Sequence, residues 1–169
     1  LPVPTYENHV FLGWYYEGKL VTGLEAGIQG AIKLTAQWRE DALYVGAGEE
    51  EYLYATIAEA LAAAKAGDKI ILLPGTYNES FTISVANLTI EGPNAGLNNA
   101  KAERQEEAII TGAITLATSA TNLTIDGVAF TGAAKITGTQ VEDFTFINNK
   151  VYDTNAPAGA WAESNAYKA

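Results

Sequence analysis

The hexapeptide NLTIEG at Asn87–Gly92 returns as NLTIDG at Asn122–Gly127 and again, loosened, as DFTFIN at Asp143–Asn148. The later two copies start 21 residues apart (122 to 143) and the earlier two 35 (87 to 122). The long interval contains a polar insertion, LNNAKAERQEE at 97–107, which accounts for most of the excess. A period of ~21 residues with one short strand cluster in each marks a stacked solenoid rather than a sandwich. In register, Leu88, Leu123 and Phe144 make one column, and Ile90, Ile125 and Phe146 a second. Side chains alternate along a strand, so Thr89, Thr124 and Thr145 between them face outward. Apolar columns inside and threonine outside are what a parallel β-helix needs, because each coil buries its residues on the equivalents in the next.

Upstream of the repeats, the stretch YATIAEALAAAKAGDKIILLPGTYNES predicts a helix over about 56–66. Thr56 with Glu59 three residues later forms a capping box, and Ile57, Ala60, Leu61 and Ala64 fall on one narrow apolar stripe. Gly67 is placed as the C′ residue that ends the helix. Lys69–Leu73 then reads as a strand closed by a Pro74-Gly75 turn. Residues 1–40 have a different pattern, rich in aromatic and branched residues: HVFLGWYYEGKLVTG at 9–23 and AIKLTAQWRE at 31–40. Phe11, Trp14 and Tyr16, and the alternating Ile32, Leu34, Ala36 and Trp38, predict short strands of a small sheet. Glu17-Gly18 is the expected hairpin turn.

Composition limits the partners. The chain has 169 residues and a net charge of -10, which repels phosphate backbones and anionic headgroups. No nucleic acid is expected as partner. Without cysteine there is neither a disulfide nor a thiolate metal site, and no apolar run approaches the ~20 residues of a membrane helix.

Residues 4–38 resemble the internalin-type B-repeat (the Listeria–Bacteroides repeat), a β-grasp-like module of bacterial surface proteins. Pro4-Thr5, Phe11, Gly13-Trp14-Tyr15, Val21-Thr22, Leu34, Ala36 and Trp38 carry the likeness. Asn8-His9 and Thr35 depart from it, and only the second half of the repeat is present. Residues 43–153 resemble the right-handed parallel β-helix proteins of the pectate-lyase-like superfamily, through the capping stretch quoted above and LTIEGPNAG. That resemblance implies a helix plugging the N-terminal mouth of the coil. Lyases, esterases, adhesins and phage proteins share this fold, so it does not by itself assign a chemistry.

The expected fold is therefore mainly β. A partial B-repeat-like module (1–40) precedes a short right-handed parallel β-helix of about three rungs (41–154), followed by an irregular tail (155–169). The tail, built largely of small residues, leaves three outcomes open: the protein continues past residue 169, the tail folds back as a lid with Trp161, or two chains meet end to end as a homodimer.

Glu91 and Asp126 share a rung position and Asp143 stands at a corner of the next coil, which makes them the candidate calcium- or carbohydrate-contact residues. Asp-Gly and Glu-Gly are equally what a turn after a strand requires. A lyase of the resembled class also needs a base to take a proton from the uronate, and Lys101, Arg104, Lys135 and Lys150 are the cations at hand. The esterase pattern would draw on Asp126, Gln140 and Asp143, but no arginine follows Arg104. His9, the only histidine, reads as a packing or surface residue. Tyr15, Tyr44, Tyr52 and Tyr54 offer either a sugar-stacking platform or cover for a module junction.

Together these imply a fragment of a bacterial secreted or cell-surface protein, extracellular and cell-wall associated. It would act without catalysis as an adhesion, carbohydrate-contact or stalk module facing a polysaccharide or host surface. No catalytic residue and no cofactor is assigned, calcium being the one candidate ion. The alternative is the N-terminal part of a polysaccharide lyase whose catalytic rungs lie downstream.

Overall fold

In the computed structural model residues 1–23, 30–97, 103–131, 134–138, 142–152, 161–164 and 167–168 are described. The chain divides into two units, Leu1–Asp41 and Ala42–Ala169.

The first unit is a sheet of three antiparallel strands: β1 (His9–Tyr16), β2 (Lys19–Leu20) and β3 (Thr35–Glu40), in the order β2-β1-β3. Glu17 (φ 48) and Gly18 (φ 78) form the β1–β2 turn, and two positive φ angles match the twist of the flanking strands. Phe11 faces Trp38 and Trp14 faces Ala36, with Leu12 as the extra residue of a bulge. Ile32 and Leu34, expected in the third strand, precede it. Edge-on aromatic pairs hold the sheet, with ring centroids at 5.2 Å for Phe11–Trp38, 5.7 Å for Phe11–Trp14 and 5.6 Å for Tyr6–Trp38. No described residue of this unit is fully buried.

The second unit opens with β4 (Leu43–Val45), β5 (Leu53–Tyr54) and α1 (Ile57–Ala63). A run of short strands follows: β6 (Lys69–Leu72), β7 (Gly75–Tyr77), β8 (Phe81–Ile83) and β9 (Thr89–Glu91). It continues as β10 (Ala108–Ile110), β11 (Ile114–Leu116), β12 (Leu123–Asp126), β13 (Ala129–Thr131), β14 (Ile136–Gly138), β15 (Phe144–Ile147) and β16 (Asn149–Tyr152). From β6 to β16 successive strands enter three sheets in rotation. One sheet takes β6, β9, β12 and β15; the next takes β7, β10, β13 and β16; the third takes β8, β11 and β14. Within these series every pairing is parallel.

The register follows the repeated hexapeptides. Ile70 pairs with Ile90, Ile90 with Ile125, and Ile125 with Phe146. Ile70, Ile90, Ile125, Leu88 and Leu123 are all buried, each aliphatic side chain contributing roughly 2–3 kcal/mol. Asn87 (φ 54), Asn122 (φ 51) and Asp143 (φ 57) start the copies in left-handed conformation, which Asn and Asp tolerate best. Asn122 Nδ2 donates to Asn87 Oδ1 at 3.0 Å, so the Asn of this Asn-Leu-Thr phrase links one rung to the next.

At one end of the stack α1 packs on β4, β5 and β8, burying Ile57, Ala60 and Leu61. Thr56 caps the helix as expected, Glu59 N donating to its Oγ1, while the Glu59 carboxylate reaches back one residue past the N-cap and accepts from Ala55 N, both at 3.1 Å. Glu79, between β7 and β8, adds a second cap, its carboxylate accepting from Ile57 N (2.8 Å) and Ala58 N (3.2 Å). The helix stops short of the expected 66, with Ala64 as an extended C-cap. Gly67 does not end it. The Asp68 carboxylate accepts from Lys65 N at 2.8 Å and draws the chain into a separate turn, where Gly67 (φ 96) sits.

The other end corrects the expectation of an irregular tail. Within 155–169 the described residues form β17 (Trp161–Ser164) and β18 (Tyr167–Lys168). They pair antiparallel with β16 and β15 and cover the last edges of two of the three sheets. Edge pairing satisfies backbone donors and acceptors and needs no side-chain periodicity over so short a run, so the sequence pattern does not reveal it. The edges of β15 and β16 are thereby paired within the chain, and β17 and β18 become the terminal strands of those two sheets. Residues 155–160, 165–166 and 169 of the tail, and 98–102 of the 97–107 insertion, lie outside the described residues.

Candidate calcium- and carbohydrate-contact site

Glu91 closes β9 and Asp126 closes β12, and the two are partners in the parallel ladder. Rung spacing of ~4.8 Å brings their carboxylates to adjacent positions on one outer face. The third position of this row is Ile147, not Asp143. Asp143 aligns instead with Asn87 and Asn122, at the opposite end of the strands. The expected trio therefore reduces to a pair.

Both carboxylates of that pair already have protein partners. Glu91 Oε1 lies 3.1 Å from Lys69 Nζ, the side chains being 26% and 30% exposed. Asp126 Oδ2 accepts from Gly96 N at 3.1 Å and its Oδ1 from Asn148 Nδ2 at 2.8 Å. Gly127, after Asp126, has φ +70, and a Cβ there would overlap the backbone of Asn94 and Ala95. Gly92 is not in the left-handed region; a Cβ on it would run into Gly127 O. The Asp/Glu-Gly pairs thus hold corners closed, with the second glycine needed both for its angle and for close approach.

Beside Asp126 lies a second cluster that the repeats do not reveal. Arg104 Nε and Nη2 donate to the two oxygens of Glu107 at 2.6 and 3.1 Å, and Nη1 donates to Asn148 O at 2.8 Å. Lys150 Nζ is 3.9 Å from Glu107 Oε1. Asn94, fully buried, donates to Glu107 Oε2 (2.9 Å) and Gln105 O (3.2 Å) and accepts from Gln105 N (2.7 Å). Asn149 is 3% exposed; it accepts from Val128 N and donates to Ile125 O, both at 2.8 Å. A guanidinium held in a bidentate carboxylate pair is geometrically fixed. Arg104 and Lys150, the cations considered as proton-abstracting bases, both sit on Glu107. Lys135 is exposed on the far sheet at the entry to β14, while Lys101 and Gln140 lie outside the described residues.

Residues 103–107 are not helical, so the i,i+3 spacing of Arg104 and Glu107 is no sequence signal for their pairing. Nothing in sequence indicated that Asn94, Asn148 and Asn149 would converge with them.

Among the described residues no group of three or more His, Cys, Asp or Glu is placed to hold a metal ion, and no helix is long and apolar enough to cross a membrane. His9 stacks on Tyr6 with centroids 4.2 Å apart and its Nδ1 donates to Glu7 O at 2.8 Å. Of the tyrosines, Tyr15 belongs to the first unit, Tyr54 packs against the core of the second, and Tyr44 and Tyr52 meet edge-on at 5.8 Å. Tyr52 is 43% exposed.

Neither a protein-family model, nor a curated protein, nor a solved structure matches this chain.

Proposed function

We propose that the second unit is a short right-handed parallel β-helix of the pectate-lyase-like kind, preceded by a partial B-repeat-like module. On this reading the chain serves a secreted, cell-wall-associated bacterial protein as a non-enzymatic adhesion, carbohydrate-contact or stalk element. A chain that enters three parallel sheets in fixed rotation, with like residues stacked in each, has the topology such a coil requires.

The observation that carries the functional part is the engagement of the repeated carboxylates. Glu91 is paired with Lys69, and Asp126 is held by Gly96 and Asn148. The cations of the neighbouring cluster are likewise held on Glu107. Side chains bonded in this way hold the rungs to one another, which suits a stiff spacer more than a centre of proton transfer. The exposed Tyr52 ring beside Tyr44 supplies an aromatic surface suited to a sugar face.

Incubation of the chain with polygalacturonate and calcium tests this assignment. No unsaturated product is expected, and retardation in a polygalacturonate-containing gel should weaken in Tyr52→Ala. Release of unsaturated uronides would overturn the non-enzymatic assignment in favour of the lyase alternative. Absence of any retardation would remove carbohydrate contact and leave the stalk role.

A further inference from the structure

At the helix-capped end the three sheets do not stop together. The sheet containing β6 continues through β4 to β5, whereas the other two end at β7 and β8. The β8 edge has α1 against it. Beside β7 there is instead a cleft of about 380 Å³, lined by Gly46, Ala47, Gly48, Leu53, Ala55 and the Pro74–Tyr77 segment.

Strand geometry fixes what faces this cleft. Gly75 N donates to Glu107 O and Tyr77 O accepts from Thr111 N, so both residues turn their polar groups toward β10 and its flanks. Backbone groups alternate between the two edges of a strand. The N–H and C=O of Thr76, an exposed residue, therefore point the other way and have no partner among the described residues. The walls are small and largely apolar, and the floor is rigid because Tyr77 Oη is tied to Val45 O (2.8 Å) and Leu73 O (2.7 Å). The carboxylate of Glu50 lies beside Gly48 at the rim, within the run Glu49-Glu50-Glu51.

We propose that this cleft receives an extended peptide segment of a partner protein, which adds as a strand along the β7 edge. The free peptide groups of Thr76 supply the main-chain hydrogen bonds, as in other strand additions. The narrow glycine-lined wall admits small or β-branched side chains on one face of the incoming strand. The acidic rim selects a lysine or arginine, and the net charge of -10 steers such a segment toward the protein. The molecule already closes another edge this way, with β17 on β16.

The test uses the full chain and a blocked synthetic hexapeptide, Lys-Val-Lys-Val-Lys-Val, followed by amide chemical shifts. The expected result is saturable movement of the Gly46, Gly48 and Thr76 amides at peptide concentrations up to about 1 mM. Hydrogen exchange at Thr76 should slow by roughly tenfold at saturation. Thr76→Pro removes the free donor at an edge position where proline is tolerated, and should weaken binding about fivefold or more. Glu50→Lys, on an exposed loop, should weaken it as well while leaving the thermal midpoint unchanged. The proposal is overturned if the amides do not move, if shifts fall elsewhere, if a glutamate-for-lysine peptide binds as well, or if folded Thr76→Pro and Glu50→Lys proteins bind like the parent.

Discussion

The two units of this chain solve the problem of a small core in opposite ways. Leu1–Asp41 is an antiparallel sheet whose aromatic residues meet edge-on, and none of its described residues is fully buried. The second unit uses few aromatics inside and buries Ile57, Ile70, Leu72, Ile83, Leu88, Ile90, Ile110, Ile114, Leu123 and Ile125 almost completely. Three short strands give each side chain solvent on one side, and a sheet of that size is close to the lower limit of independent stability. A stack gives each residue its own equivalent above and below, so burial no longer depends on the size of any one strand. Repetition rather than composition makes the second core dry.

The stacked unit is most vulnerable at a corner. Gly127→Ala adds a left-handed backbone penalty of roughly 1–2 kcal/mol to a collision with the neighbouring rung at Asn94 and Ala95. The expected total is on the order of 4 kcal/mol, read from urea unfolding; a loss below about 1 kcal/mol would mean the rungs can separate there.

Next in size is a matched pair of truncations. Ile125→Ala leaves a cavity in a dry column and should cost about 3 kcal/mol of global stability. Trp38→Ala should open only the first sheet, removing hydrogen-exchange protection from β1 and β3 while the β9 and β12 amides keep theirs. Equal loss of protection in both units after Trp38→Ala would show that the contrast between them is false.

The smallest effect concerns Tyr77, whose hydroxyl is pushed from 10.0 up to about 12 by burial. The Glu79 carboxylate adds to that rise and the hydrogen bond to Leu73 O opposes it. Below pH 10 the residue is neutral in both folded and unfolded chains, and its contribution is complete. Between pH 10 and about 12 the unfolded chain gives up its proton first, so stability falls as pH rises through that window. The drop attributable to Tyr77 is roughly 2 kcal/mol, and the profile of Tyr77→Phe over the same range should be flatter by that amount.

How much of this the sequence revealed follows from the range of the contacts. Spacing alone read the Leu and Ile columns, the outward threonines, the Thr56 N-cap and the Glu17-Gly18 turn, because each is local or periodic. The Glu91–Asp126 row was legible for the same reason. That Asp143 falls outside it follows from the pairing Asp126–Ile147. Glu79 capping a helix that starts 22 residues earlier and Asn149 bridging to Val128 and Ile125 left no trace, since each depends on which rung the chain reaches next. The tail strands were hidden because edge pairing is read by the backbone.

On this reading the repeated hexapeptide marks a stacking position. Nuclear Overhauser contacts between assigned side chains test it directly. Stacked rungs lie ~4.8 Å apart, so the Ile90 methyls should show strong cross-peaks to Ile70 and Ile125, and the Ile125 methyls to the Phe146 ring. Absence of these contacts, or cross-peaks from Ile90 to residues of a shifted or antiparallel register, would contradict the account.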